Sequence, residues 1–160
     1  MSASPAARIG ARLARLGKTL ATAESCTGGL LGARLTAVSG CSAWYAGGIV
    51  AYSNAVKRRL LGVPARTLAA HGAVSGETAA ALAAGARRAI GADYAIGITG
   101  IAGPGGAVPG KPVGTVWVAV AGPAGSRARR FRFPGARNAV RRAACRKALE
   151  MLDERLRTVA

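Results

Sequence analysis

Acidic residues are scarce in this chain. Six Asp and Glu stand against 23 Lys and Arg, a net charge of +17 over 160 residues. The six are Glu24, Glu77, Asp93, Glu150, Asp153 and Glu154, and the last three fall at the end of one helical stretch as charge partners for nearby arginines. Histidine occurs once, as His71 in a Pro/Gly-flanked segment, so any serine–histidine or cysteine–histidine device has to use it. With no H-E-x-x-H and no His/Cys cluster, metal chemistry on protein ligands is not expected. The three cysteines, Cys26, Cys41 and Cys145, are odd in number and never at C-x-x-C spacing, which excludes a disulfide scaffold and a zinc knuckle. Aromatics make up 4% of the chain, so alanine, leucine and valine have to build the core, and few rings are available to stack on bases. No apolar run reaches the roughly 18 residues of a membrane span. The first 18 residues contain no continuous apolar core of a secretory signal. Reduced thiols and these absences make the cytoplasm the expected compartment.

What is present is an alternation of helix and strand signals. Residues 6–17 read as an amphipathic helix with Ile9, Leu13 and Leu16 on one face. "KTLATA" reads as a short buried strand, and residues 27–37 as a helix opened by Thr27 as its cap. "SGCS" reads as a loop, and "AWYAGGIVAYS" as a strand whose Gly47 and Gly48 suggest a bulge or a close backbone approach. "NAVKRRLLGV" is a short helix ended by Gly62, and Pro64 opens a linker through His71 and Gly72. An Ala-rich helix follows, from Ser75 or Gly76 to Gly91, and then the strand "DYAIGITG" and a loop dense in Gly and Pro. Two strands form a hairpin around "PAGS", and a last helix runs from about Arg137 to Arg157. The order implies one α/β domain with a mixed sheet between helical layers, a three-layer α/β/α arrangement with its core at about residues 6–157.

With histidine and metal set aside, a serine activated by lysine remains. Lysine serves as a base when burial and neighbouring positive charge lower its pKa. The chain has four: Lys18, Lys57, Lys111 and Lys147. Lys57 leaves a β-rich run beside Arg58 and Arg59, five residues after Tyr52, whose phenol can pass a proton or hold the amine. Ser25, in "AESCTGG", stands where a strand turns into a helix. Free amides there stabilise an oxyanion, and Gly28 and Gly29 let a ligand approach the chain. The alternative for Ser25 and Thr27 is ordinary helix capping. Cys26 is the rival nucleophile and has no evident base. Glu24 is expected to be structural or to face a ribose, because a carboxylate against Lys57 would favour the charged amine.

Five blocks taken together, "AESCTGGLLGARLT", "GGIVAYSNAVKRRLLGV", "HGAVSGETA", "GITGIAGPGG" and "KPVGTVWVAVAG", resemble the CinA carboxy-terminal domain family along nearly the whole chain. Stand-alone members of that family include nicotinamide mononucleotide amidohydrolases. Its larger proteins carry an additional N-terminal domain, for which this chain has no room. The resemblance implies hydrolysis of nicotinamide mononucleotide to nicotinic acid mononucleotide and ammonia, without cofactor or metal. Ser25 is then the nucleophile, Lys57 the general base and Tyr52 its assistant. It also implies that Thr99 and Gly100, which open the Gly-rich loop, line the site. That loop's amides can form an anion nest for the substrate phosphate. Thr27, Gly28 and Gly29 are expected at the substrate, and Asn54 either binds the carboxamide or steadies a turn. Arg137 and Arg141, four apart on one helix face, are the candidates for phosphate. Family members commonly read Gly-Asp-Arg where this chain has Gly135, Ala136 and Arg137, so a carboxylate that can orient an arginine or cap the helix is missing here.

The charge leaves two readings open. An excess of 17 positive charges suits an anionic partner, nucleic acid or phosphate-bearing small molecules, and equally suits a solvated Arg-rich surface. A basic nucleotide- or nucleic-acid-binding module without amidase activity is the alternative function, with nucleic acid the less favoured partner. Apolar faces on Ala-rich helices make a homo-oligomer the expected state, and no membrane partner is expected.

Overall fold

A computed structural model describes residues 2–159. Five strands form one sheet in the order β2-β1-β3-β4-β5. β1 (Leu20–Glu24) is an interior strand, with β2 (Tyr45–Val50) and β3 (Tyr94–Gly100) parallel to it on either side. β4 (Thr115–Gly122) runs antiparallel to β3, and β5 (Gly125–Arg132) antiparallel to β4. Helices α1 (Pro5–Leu16), α2 (Leu30–Thr36) and α6 (Arg137–Arg157) cover one face. Helices α3 (Asn54–Leu61), α4 (Ala65–His71) and α5 (Gly76–Ile90) cover the other. The result is the expected three-layer α/β/α fold with a mixed sheet.

The local chemistry explains the boundaries. Ser4 accepts from the Ala7 amide, Pro5 sits in the first turn, and Gly17 ends α1 in the left-handed region. Ser53 and Ser75 cap α3 and α5 in the same way. β1 is buried on both faces, as an interior strand between helical layers has to be. On β1, Ala21 and Ala23 face the α3–α5 layer with Ala51, Leu61 and Leu82, whereas Leu20 packs with α1, α2 and α6. The bulge expected around Gly47 is present: the β1–β2 register shifts between Leu20 and Ala21, opposite Tyr45 and Gly47.

Three expectations need correction. The second helix begins at Leu30, three residues later than the sequence suggests, and Thr27 does not cap it. The segment read as a linker after Pro64 is α4; Pro64 and Gly72 are its start and stop rather than signs of irregular chain. Part of the "SGCS" loop is a one-turn 3-10 helix, Cys41–Ala43.

The three parallel strands end at one edge of the sheet. Ser25, the segment 51–53 and Gly100 leave the sheet there, side by side, at the edge where open α/β sheets bind their ligands.

Candidate active site

The turn after β1 is held from four directions. Ser25 N–H donates to the Ile98 carbonyl (3.0 Å), which carries the β1–β3 ladder one residue further. Gly28 N–H donates back to the Ser25 carbonyl (3.0 Å), closing a tight turn. Gly28 (φ 58°) and Gly29 (φ 98°) are both left-handed, a conformation that a side chain resists at two positions in a row. The Glu24 carboxylate is buried and accepts from the amides of Leu31 (2.8 Å) and Gly32 (3.0 Å), so it fixes the start of α2 in place of a side-chain cap. Arg141 reaches across from α6: Nε donates to the Cys26 carbonyl (3.2 Å) and Nη2 to that of Thr27 (2.8 Å).

This scaffolding leaves donors over. The amides of Cys26, Thr27 and Gly29 make no hydrogen bond among the described residues, although those of Gly28, Leu30, Leu31 and Gly32 are all taken. The Ser25 hydroxyl likewise makes none, and its residue is 7% exposed. Thr27 Oγ1 is sealed from solvent without a partner, a costly arrangement for a buried hydroxyl.

Lys57 arrives from the neighbouring strand. Ala51 N–H donates to the Glu24 carbonyl (2.9 Å), which sets the chain leaving β2 about 4.8 Å, one strand spacing, from the chain leaving β1. Lys57 lies one turn into α3 on the buried stripe with Leu61, only 2% exposed, and Nζ donates to the Tyr52 carbonyl (2.7 Å). Its amine makes no hydrogen bond to Ser25 Oγ in this structure. Burial lowers its pKa from the ordinary 10.5. The cause is desolvation and not Arg58 and Arg59, which are exposed and turn to solvent. No carboxylate pairs with Lys57, because both oxygens of Glu24 are held by α2. Nζ is held on the Tyr52 carbonyl, one residue past the Ala51 amide that binds the Glu24 carbonyl, which places it by the chain that leaves β1 for Ser25, and its charge favours the Cys26 thiolate. Even so, burial pushes the Cys26 thiol up to about 11, leaving it protonated at neutral pH.

The remaining expected residues fall into two groups. Tyr52 is 60% exposed; it holds the lysine through its carbonyl, while its phenol accepts from Arg137 Nη2 (3.0 Å). Arg137 also donates to the Gly103 carbonyl (2.7 Å), so it links α6, the strand exit and the Gly-rich loop at the rim. Asn54 opens α3 and is exposed, close to this corner. Gly100 ends β3 at the same edge. Thr99, in contrast, is buried with its hydroxyl donating to the Ala73 carbonyl (2.7 Å), which fastens the α4–α5 connection and leaves no group for a ligand. The guanidinium of Arg141 is committed to the Cys26 and Thr27 carbonyls and to Asn138 Oδ1 (2.9 Å). Neither the anchoring role of Glu24 nor that of Arg141 is readable from local sequence, since each partner lies in another element. Among the described residues no group of three or more His, Cys, Asp or Glu side chains stands together.

Comparison with known proteins agrees with the fold and the motifs. The family model of the CinA C-terminal domain matches residues 2–156. A CinA-like protein of Anaeromyxobacter sp. (strain K) is 57% identical over 147 residues, which cover 92% of this chain and 36% of that protein. A CinA-like protein of Parasynechococcus marenigrum is 55% identical over 148 residues, 91% of this chain and 35% of that protein. The chain thus spans about a third of the length of these curated relatives. Among solved structures, a competence-damaged protein (CinA) superfamily protein of Klebsiella pneumoniae superimposes with a TM-score of 0.93 at 42% identity, covering 96% of both chains. A superfamily member from Escherichia coli gives 0.91 at 35% identity, covering 94% of this chain and 87% of its own.

Proposed function

This chain belongs to the CinA C-terminal domain family, and we propose that it is an amidohydrolase that converts nicotinamide mononucleotide to nicotinic acid mononucleotide and ammonia, in the recycling of pyridine nucleotides. One observation carries the reading: a sealed lysine with no carboxylate partner stands beside a turn whose serine hydroxyl and three amides are unbonded. A lysine kept from water and from counter-charge is a base, and unbonded amides beside a free hydroxyl are an oxyanion site.

In this mechanism the neutral Lys57 amine takes the Ser25 proton as Oγ attacks the carboxamide carbon. Amides of the Cys26–Gly29 turn receive the negative charge on the carbonyl oxygen. As the tetrahedral intermediate collapses, the Lys57 ammonium returns its proton to the leaving nitrogen and ammonia departs. Water, deprotonated by Lys57, then hydrolyses the nicotinoyl ester and frees Ser25. Lys57 exchanges its bond to the Tyr52 carbonyl for one to Ser25 or water during the cycle. The substrate phosphate goes to Arg137 and the loop after Gly100, because Arg137 is exposed and Arg141 is occupied in holding the turn.

Ammonia release from nicotinamide mononucleotide in the presence of a chelator tests the reading. The wild type is expected to turn over, with Ser25→Ala and Lys57→Ala folded and at least about a thousandfold slower, the scale seen when a nucleophile or its base is removed. A folded wild type that binds the nucleotide and releases no ammonia would overturn it in favour of a binding module. The edge strand β5 carries exposed Arg127, Arg129, Arg130 and Arg132 and favours that second reading.

A further inference from the structure

A cavity of about 810 Å³ opens at the far end of the sheet from Ser25, between the β3–β4–β5 end and the last turns of α6. Tyr94, at its wall, pairs with Leu20 at the start of β1. Ser25 lies five residues further along, about 16 Å at the usual strand rise. The two places therefore share no side chain.

The floor is apolar: Tyr94, Val120 and Met151 are each at most 5% exposed. Yet Tyr94 has an unused polar atom. Its hydroxyl makes no hydrogen bond among the described residues and, unlike Thr27 Oγ1, is not sealed from solvent, so it is free to meet a ligand in the cavity that this residue lines. The rim is basic. Lys18 is neutralised by Asp93 (3.4 Å), and Arg129 by Glu154 (3.2 Å). Arg127 and Arg155 have no carboxylate. Arg127 stands opposite Val120 in the β4–β5 register, so it rises on the cavity side of the sheet, and it makes no hydrogen bond or ion pair among the described residues. Arg155 donates only to the Gly125 carbonyl (3.1 Å). The C-terminus of α6 adds roughly half a negative charge nearby, which two uncompensated guanidiniums outweigh.

We propose that this cavity is a second binding site, for a small anion with a flat apolar body, the class of aromatic carboxylates and aromatic phosphates. The body lies on Val120, Met151 and the Tyr94 ring. The anionic group takes hydrogen bonds from the Tyr94 hydroxyl and from Arg127 and Arg155. The volume is that of an ordinary small-molecule site. This assignment does not depend on the amidase reading, because it uses none of the residues around Ser25.

Phenyl phosphate is the probe, titrated into the labelled full chain and followed through backbone amide resonances. Saturable shifts are expected at Val120, Gly122 and Met151. Inorganic phosphate and benzyl alcohol should each bind at least about tenfold more weakly, since each offers half of the contacts. Arg127→Ala is expected to weaken phenyl phosphate about tenfold, and Tyr94→Phe, which keeps the ring, about fivefold. Ser25→Ala should leave the affinity unchanged. Shifts centred on residues 25–29 and the loop after Gly100 would overturn the proposal. So would inorganic phosphate binding as tightly as phenyl phosphate, or affinities indifferent to both cavity variants.

Discussion

Lys57 is where the fold and the chemistry pull against each other. An amine taken from water with no counter-charge costs stability whenever it is protonated, and burial has lowered its pKa below 10.5 to relieve that cost. Between the depressed native value and 10.5 the unfolded chain binds one more proton than the native chain. Stability attributable to this residue therefore rises as pH increases through that window, and below it the penalty is present in full. Lys57→Met keeps the length and the apolar stem. It is expected to stabilise the protein by about 1–3 kcal/mol at pH 7, as replacement of a buried charge by an apolar isostere does. The gain should shrink as pH approaches 10.5, while ammonia release is lost. Denaturant unfolding of wild type and variant at pH 7 and pH 10 measures the difference. An equal loss of stability at both pH values would mean that the ammonium bond to Tyr52 outweighs desolvation.

At the level of elements, the position of Lys57 depends on how closely α3 approaches α5. Gly85 makes that approach possible: a Cβ built there meets the Leu61 carbonyl oxygen, with the Leu61 carbonyl carbon at 2.8 Å and its Cα at 3.0 Å. These are backbone atoms at the end of α3, so they cannot swing aside as a side chain can. Gly85→Ala pushes α3 outward and carries Lys57 with it. The expected cost is about 1–3 kcal/mol despite the better helix propensity of alanine, together with a fall in kcat larger than any change in KM. Thermal unfolding and steady-state kinetics report the two effects separately. A stabilised, fully active variant would show that the helices part without disturbing Lys57.

This dependence also separates what could be read in the sequence from what could not. Periodicity and capping residues mark α1, α3, α5 and α6, and the β4–β5 hairpin, because their signals are local. Ser25 and Lys57 can be singled out because histidine, metal ligands and other lysines are so few. The sequence suggests too early a start for α2 because the orphan amides of Leu31 and Gly32 are satisfied by Glu24, seven residues upstream of Leu31, and not by the Thr27 hydroxyl. Likewise, the roles of Arg141 and Thr99 are set by carbonyls of remote elements, which no spacing reveals.

For the whole molecule the unbalanced term is charge. Five of the six side-chain carboxylates are already occupied, Glu24 by amides, Asp93 by Lys18, Glu150 by Lys147, Asp153 by Arg12 and Arg157, and Glu154 by Arg129, while Glu77 lies 3.7 Å from His71, which pairs with it only when protonated. Sixteen of the 19 arginines therefore have no carboxylate partner among the described residues, and the edge strand β5 carries four arginines, of which Arg129 alone meets a carboxylate. A surface like this attracts any polyanion, with an affinity that falls steeply with salt because condensed counterions are released on binding. Duplex DNA is expected to bind without sequence preference at low ionic strength and to lose at least about a hundredfold in affinity between about 50 mM and 200 mM salt. The Ser25→Ala variant should bind it equally well, and nicotinamide mononucleotide should not displace it, since β5 lies at the opposite edge of the sheet from β2 and well away from the Ser25 corner. Fluorescence anisotropy with labelled duplexes of unrelated sequence, with and without the mononucleotide, measures both. Competition between the two ligands would place the polyanion on Arg137 and the loop after Gly100, so that the basic charge would belong to the proposed amidase site and not to a generic Arg-rich surface.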